Sequence, residues 1–531
     1  MLLPFALFSL AVGCKDGSTT PEETGTPHVP TFCEGLGLSE RPWQEAEEDA
    51  SLYAIASDIE IPTTTGDIRL SELWTGCETF LFVQEDPRQA GQGDWPRDLF
   101  TRDVDTLFES TPRNVHWFFV PSSEDTEAAF TDLAPQIDEV LADMDDEDRT
   151  WWESHIHYVD DEDRDLDDWL GDNMRSPGWG VGIDRFQRIR YIGSYADPER
   201  YNASAGWFEP NLSMAVNEAI YYNFEAERQD RLDAEDATVL PIFAGEVLSD
   251  SGWAGTRGYA EVTLPDAATM ASFDTMELDL YLGCQGEGEY GDCPAWDYLV
   301  YLYLCEPDDP DTCSKEVGRW ITTYHREGRW VHDVSGLLPL LNEGGTRRFA
   351  FYTQQPYEVS LNLRLSNQGK TNRPSEVIYL FGGGGFDTNY NANHPDQQVS
   401  IPADAAKVEL ATVVSGHGQV SPGNCAEFCD TTHTFTINGH ENTRSFPEAG
   451  RGYDCQEKAA EGTVPNQYGT WWYGRSGWCP GKEVPMVNFD VTDQVTPGAT
   501  ETIHYEGLRN GSAYAGGGAW IDLSAWLVIY R

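Results

Sequence analysis

The sequence is poor in positive charge. Its 531 residues include 34 lysines and arginines against 90 aspartates and glutamates, a formal charge of −56 at pH 7. With no basic surplus to displace counterions, a nucleic-acid backbone is excluded as a partner, as is an electrostatic hold on anionic lipid. The leading apolar segment, residues 1–13, falls short of the about 20 residues that a membrane-spanning helix needs. Cys-x-x-Cys occurs nowhere, so neither a zinc ribbon nor a dithiol redox centre is supported. Internal repeats are absent, and after Val239 no amphipathic helix exceeds two turns. What remains is 40% hydrophobic and 12% aromatic, with 18 tryptophans, the composition of packed sheets and not of an acidic disordered tail. The length predicts about three domains, and the acidity reads as a solvated surface in saline surroundings.

Residues 1–13 suffice for a signal-peptide core. Their ending, Leu-Ala-Val-Gly before Cys14, resembles a bacterial lipobox, so residues 1–14 read as a lipoprotein-type signal with Cys14 as the lipidated position. The protein is then an outer-membrane or cell-surface lipoprotein, with a secreted or periplasmic protein as the alternative. Any membrane contact would run through that lipid anchor alone. Residues 15–45 begin with a Ser, Thr, Pro and Gly-rich stretch and read as a flexible linker. Export makes disulfides the default for the other ten cysteines. Their spacing pairs Cys284 with Cys293, Cys305 with Cys313, Cys425 with Cys429 and Cys455 with Cys479, leaving Cys33 for Cys77.

Residues 46–236 alternate apolar strands (79–83, 115–120, 179–184, 188–193) with polar helical stretches, which predicts an open α/β sheet. The arrangement resembles the thioredoxin fold. In that fold the active cysteine follows the strand matching 79–83, whereas the loop 84–96 here (QEDPRQAGQGDWP) has none, so this domain is read as redox-dead, a spacer or docking module. The pair His155 and His157 lies beside acidic residues 160–168 and reads as a solvated surface segment, not a metal pair. From 239 onward, short β-rich runs separated by Gly, Pro and Asn predict antiparallel sandwiches. The glycine run 382–385 divides them into 239–386 and 387–531.

Three disulfide-framed segments hold polar groups in rigid settings. Cys293-Pro-Ala-Trp296-Asp297 leads into a strand, placing an acid and a tryptophan at its start. In Cys425-Ala-Glu427-Phe-Cys429 a bridge across three residues would present Glu427 rigidly; a metal clip lacks a second ligand pair. The third segment, Arg475-Ser-Gly-Trp478-Cys479-Pro-Gly, sets an arginine and an aromatic beside a bridged cysteine.

Together these strings resemble the peptide-N-glycosidase F family, secreted bacterial amidases that remove whole glycans from asparagine. The likeness spans about 240–531 and is extended by Gly318-Arg319-Trp320-Ile321-Thr322, Tyr352-Thr353-Gln354 and Thr432-His433-Thr434. It implies two consecutive eight-stranded antiparallel β jelly rolls with the substrate cleft along their interface. It also implies the bridges 284–293, 425–429 and 455–479, Asp297 and Glu427 as catalytic carboxylates, and Arg475 near the pair. Trp296, Trp478, Gln354 and His417 would bind or support the substrate. No cofactor or metal is implied; the expected partner is an N-linked glycoprotein or glycopeptide, and the expected state a monomer. Three positions depart from the family. Its third acid is Gln354, an amide that cannot ionise, and two cleft aromatics are replaced by loop residue His417 and by Pro356. The alternative is therefore an N-glycan-binding protein on the same scaffold with weak or no catalysis.

Overall fold

A computed structural model describes residues 30–531 except 86–98, 102, 123–124, 162–165, 167, 175–179, 204–205, 249–254, 287–291, 420 and 422. The expectations for the signal segment, Cys14 and most of the loop 84–96 lie outside the described residues. The first sheet contains β1 (Thr79–Gln84), β2 (Val115–Val120), β3 (Ile156–Tyr158), β4 (Gly180–Ile183) and β5 (Ile189–Tyr191), in the order β3-β2-β1-β4-β5. β1, β2 and β3 are parallel, and β4 and β5 add on antiparallel. Every residue of β1 and β2 is buried, as expected for strands covered on both faces. One face packs Leu81, Val83, Trp117 and Phe119 against α1 (Leu133–Ala142) and α2 (Asp146–Glu153). The other packs Phe80, Phe82 and Phe118 against Trp169 and Val181. The long helix α3 (Val216–Ala234) ends this part of the chain.

Two expectations fail here. The linker read over 15–45 is packed structure from Thr31: Thr31 and Glu34 form a capping box around the short helix Phe32–Gly35, Cys33 bonds Cys77, and Trp74 Nε1 donates to Arg41 O at 2.7 Å. His155 and His157 are not solvated. They lie only 8% and 7% exposed, stacked with His116 of β2 at ring separations of 4.2 and 5.4 Å. Their surroundings are set by this stack of rings on the sheet and not by the acids that follow in sequence.

Two β-sandwiches follow. The first comprises β6 (Ala237–Leu248), β7 (Thr256–Asp266), β8 (Thr275–Gly283), β9 (Leu299–Glu306), β10 (Asp309–Ile321), β11 (Gly328–Asp333), β12 (Gly344–Thr353) and β13 (Tyr357–Ser366). The second comprises β14 (Pro374–Phe386), β15 (Gln397–Ser400), β16 (Lys407–His417), β17 (Thr431–Ile437), β18 (His440–Ser445), β19 (Val487–Asp490), β20 (Thr500–Arg509) and β21 (Ala519–Tyr530). Sheet β6-β13-β8-β11 faces β7-β12-β9-β10, and β14-β21-β16-β19 faces β15-β20-β17-β18. Both sets show the same doubly wound Greek-key order, that of a jelly roll. Since β14 pairs with β21, the second sandwich begins at Pro374, ahead of the boundary at 386 read from the glycine run; those glycines are strand residues.

β21 explains the apolar run near the end of the sequence. Ala519, Ile521, Leu523, Ala525, Leu527 and Ile529 enter the second core, while Trp526, Val528 and Tyr530 on the opposite face join the first. Polar groups complete that interface. Arg319 of β10 is wholly buried and bonds Glu316, the Asp522 carbonyl at 2.8 Å and Ser415 Oγ at 3.0 Å. Charges buried in this way must be paired.

Candidate functional site

The five bridges read from spacing are all present, and three of them frame one site between the sandwiches. Asp297 lies just ahead of β9, its neighbours clamped by Thr322: Thr322 Oγ1 donates to Trp296 O at 2.6 Å and accepts from Tyr298 N at 2.8 Å. Trp296 N donates to Gln355 Oε1 at 3.4 Å. Glu427 sits inside the Cys425–Cys429 loop, its N–H bonded to Gly418 O at 3.1 Å and its carbonyl accepting from Ser476 N at 2.8 Å. The chain after Tyr473 brings Arg475 between them.

Arg475 joins the two carboxylates. Its Nη2 donates to Asp297 Oδ2 at 3.3 Å, and its Nε lies 3.5 Å from Glu427 Oε1, an ion pair without hydrogen-bond geometry. Nη1 is held by the carbonyls of Thr470 at 3.1 Å and Tyr473 at 2.7 Å. The guanidinium is fully buried and flanked by the rings of Phe428 and Trp478, each 5.0 Å away, where cation–π attraction adds to the hold. The acids keep 14% and 18% of their side-chain surface.

Burial raises both acids above their ordinary range. For Asp297 the positive charge of Arg475 and a hydrogen bond from Tyr324 work against it. Glu427 is pushed up to about 7 by burial and then by the Asp297 charge, with Arg475 opposing. Two carboxyls held by different partners at one site can divide the work of acid and base.

The other expected residues divide. Trp478 covers Arg475 and donates from Nε1 to Gly416 O at 2.8 Å. His417 stacks on Trp478 at 5.2 Å and meets Ser415 Oγ at 2.9 Å; it ends strand β16 and is not the loop residue expected. Trp296 stands 56% exposed beside Asp297. Gln354 follows β12 half-buried, joined to neither acid by a hydrogen bond among the described residues; its neighbour Gln355 makes the contact to this loop. Asp454, Cys455 and Cys479 bring possible metal-ligand atoms together, but the two sulfurs are bonded to each other, leaving no thiolate.

Sequence reasoning missed Tyr324, Thr470 and Trp520. Trp520 is 50% exposed and lies opposite His417 in the β16–β21 register, so their side chains share a face. Only the alternation of β21, with Asp522 and Ser524 on the interface side, signals that Trp520 continues that face.

Comparisons with known proteins agree with this picture. The family model for peptide-N-glycosidase F, C terminal, matches residues 386–528. Peptide-N(4)-(N-acetyl-beta-D-glucosaminyl)asparagine amidase F of Elizabethkingia miricola is 24% identical over 299 residues, 52% of this chain and 79% of that protein. The solved structure of PNGase F, a glycosylasparaginase from Flavobacterium meningosepticum, is 20% identical, covering 56% of this chain and 96% of its own with a TM-score of 0.45. PNGF-II is 15% identical over 57% of this chain and 66% of its own, with a TM-score of 0.42. Over residues 386–528 the chain is thus similar to the C-terminal part of the peptide-N-glycosidase F family.

Proposed function

We propose that the protein is a peptide-N-glycosidase that hydrolyses the amide joining N-acetylglucosamine to asparagine in N-linked glycoproteins or glycopeptides. The observation that carries this reading is the buried Arg475 bridging Asp297 and Glu427 at the seam of the two sandwiches. Ionised Asp297 takes a proton from water as its oxygen bonds the side-chain amide carbon. Glu427, protonated around neutral pH, orients the first sugar and gives its proton to the nitrogen as the carbon–nitrogen bond breaks. Aspartate and a glycosylamine result; Asp297 then releases its proton and Glu427 regains one from solvent. Arg475 keeps Asp297 ionised.

The α/β unit fits a thioredoxin-like reading, with three parallel strands, an antiparallel hairpin and a closing helix. All ten cysteines among the described residues are in disulfides, so it is assigned no thiol chemistry. Five disulfides support the reading of an exported protein. No helix among the described residues is long and apolar enough to cross a membrane.

The test is release of glycan from a denatured high-mannose glycoprotein, followed by gel shift. Asp297→Asn is expected to lower kcat about 10²–10⁴-fold, and Glu427→Gln, which keeps shape but has no transferable proton, at least tenfold. Near-wild-type rates in both would overturn the assignment. A wild type that binds a glycan array yet releases nothing would be a glycan-binding module.

A further inference from the structure

The α/β unit grips two loops of the site. Loop 322–327 carries Tyr324, and loop 464–475 carries Thr470 and Arg475. Glu218, in the first turn of α3, is fully buried and accepts from Arg326 Nη1 at 2.5 Å. The same guanidinium, 2% exposed, donates to Pro465 O at 2.6 Å and to Tyr191 O, on β5, at 2.8 Å. One side chain therefore joins the α/β unit to both loops. Parallel contacts reinforce it: Ser194 N donates to Asn466 O at 2.6 Å, Asn466 Nδ2 to Ile192 O at 3.2 Å, and the Tyr191 and Tyr468 hydroxyls meet at 3.2 Å. Gly193 has φ +71° and approaches so closely that a Cβ would stand 2.3 Å from Asn466 O, a position only glycine fills.

The gripped loops also hold each other, Tyr324 N donating to Gln467 Oε1 at 2.9 Å. From there both reach one carboxylate. Tyr324 hydrogen-bonds Asp297 and also accepts from Arg475 Nη2 at 3.3 Å, while Thr470 O and Oγ1 fix the Arg475 guanidinium at 3.1 and 3.3 Å.

We infer that Glu218 and Arg326 are positioning residues for the chemistry at Asp297: through them the α/β unit sets where Tyr324 and Arg475 stand. The inference rests on the proposed function and assigns the N-terminal unit a part in the reaction without contact to substrate. Asp297 is faced by Arg475, Tyr324 and Glu427; when the first two drift away it loses its opposite charge and its donor, while the Glu427 carboxyl stays. Its protonation then becomes easier.

The experiment uses the full chain with Glu218→Gln, nearly isosteric but uncharged, and Arg326→Lys, which keeps charge but lacks the planar fork that reaches acceptors on three separate segments. Expected are a fall in kcat of at least tenfold with KM within twofold, and an upward shift of the acidic limb of the kcat/KM–pH profile. Glu218→Asp should recover part of the loss. Hydrogen–deuterium exchange of the same proteins supplies a readout free of substrate: peptides covering 322–327 and 464–475 should exchange faster in both variants. Unchanged exchange in those loops, or a wild-type pH profile in a folded variant, would overturn the inference. A wild type that releases no glycan would overturn the proposed reaction instead, and the exchange data alone would then decide the coupling. Where one variant fails to fold, the other decides.

Discussion

Inside the Cys425–Cys429 loop, Glu427 serves the site at the expense of the fold. Its folded pKa of about 7 exceeds the ordinary 4.5, so the folded state binds its proton more tightly and stability falls as pH rises from about 4.5 to about 7. Glu427→Gln removes that dependence. Between pH 5 and pH 8 the variant should gain on wild type by at most about 3 kcal/mol, measured by denaturant midpoints, while its glycan release stays low. A variant that tracks wild type at both pH values would show that Glu427 does not titrate in this range. Trp520 offers a second test. Read as a flat apolar face beside His417, it should cost substrate binding about 1 kcal/mol when replaced by alanine, a roughly fivefold rise in KM, with kcat nearly unchanged and most of the loss restored by Phe. The acids, Arg475 and Trp478 were legible in the sequence because disulfide-framed motifs surround them. Tyr324 and Trp520 were not, because one sits in an unmarked loop and the other in an ordinary β-rich run, and each gains its role only when distant segments meet.

Among the elements, the long apolar strands were readable and the charged ones were not. β1, β2 and β21 announce themselves by runs such as Thr79-Phe80-Leu81-Phe82-Val83. β10, carrying Asp309, Asp311, Lys315 and Glu316, has no such run, and its partner β9 supplies the apolar surface that it lacks. β3 misled in the other direction, its His157 and the preceding His155 marked as surface by the acids downstream. Burial keeps His116, His155 and His157 below the ordinary histidine range, His157 down to about 4. The unfolded histidines bind protons first, so stability is lost as pH falls from about 6.5 towards 4, by at most about 3 kcal/mol for His157 alone. His157→Phe should flatten this acid limb in thermal melts; an unchanged limb would assign the acid loss to other groups. The Cys425–Cys429 loop is short, and its bridge adds only about 2 kcal/mol by chain entropy. Cys425→Ser with Cys429→Ser should therefore stay folded yet lose more than tenfold in glycan release, because the frame around Glu427 is gone.

For the whole molecule, the charge of −56 sets the response to salt. Self-repulsion opposes the compact state, and at 1 M salt the screening length drops to about 3 Å. Raising NaCl from 0.05 to 1 M should therefore raise the melting temperature by several degrees, whereas a neutral osmolality control would leave the electrostatic part untouched; a flat salt response would show that self-repulsion among the acids does not limit stability. The predominance of β-sheet was visible from composition and texture. The contacts that unite the units, Arg326 to Glu218 and Arg319 to Asp522, were not, since each joins residues over one hundred positions apart that no local pattern connects.

The order of strands in the second sandwich bears on how the chain is made. β14 and β16 are both paired to β21, which lies between them. During synthesis β14 emerges 133 residues before β21 begins, a delay on the order of 10 s at ribosomal rates. Throughout that interval a thirteen-residue strand has no neighbour, and the first sandwich lacks the Trp526, Val528 and Tyr530 side chains that cover it. The nascent protein is therefore most exposed to aggregation and proteolysis just before its last sandwich strand appears, a window in which a chaperone or the export machinery has an open sheet edge to hold.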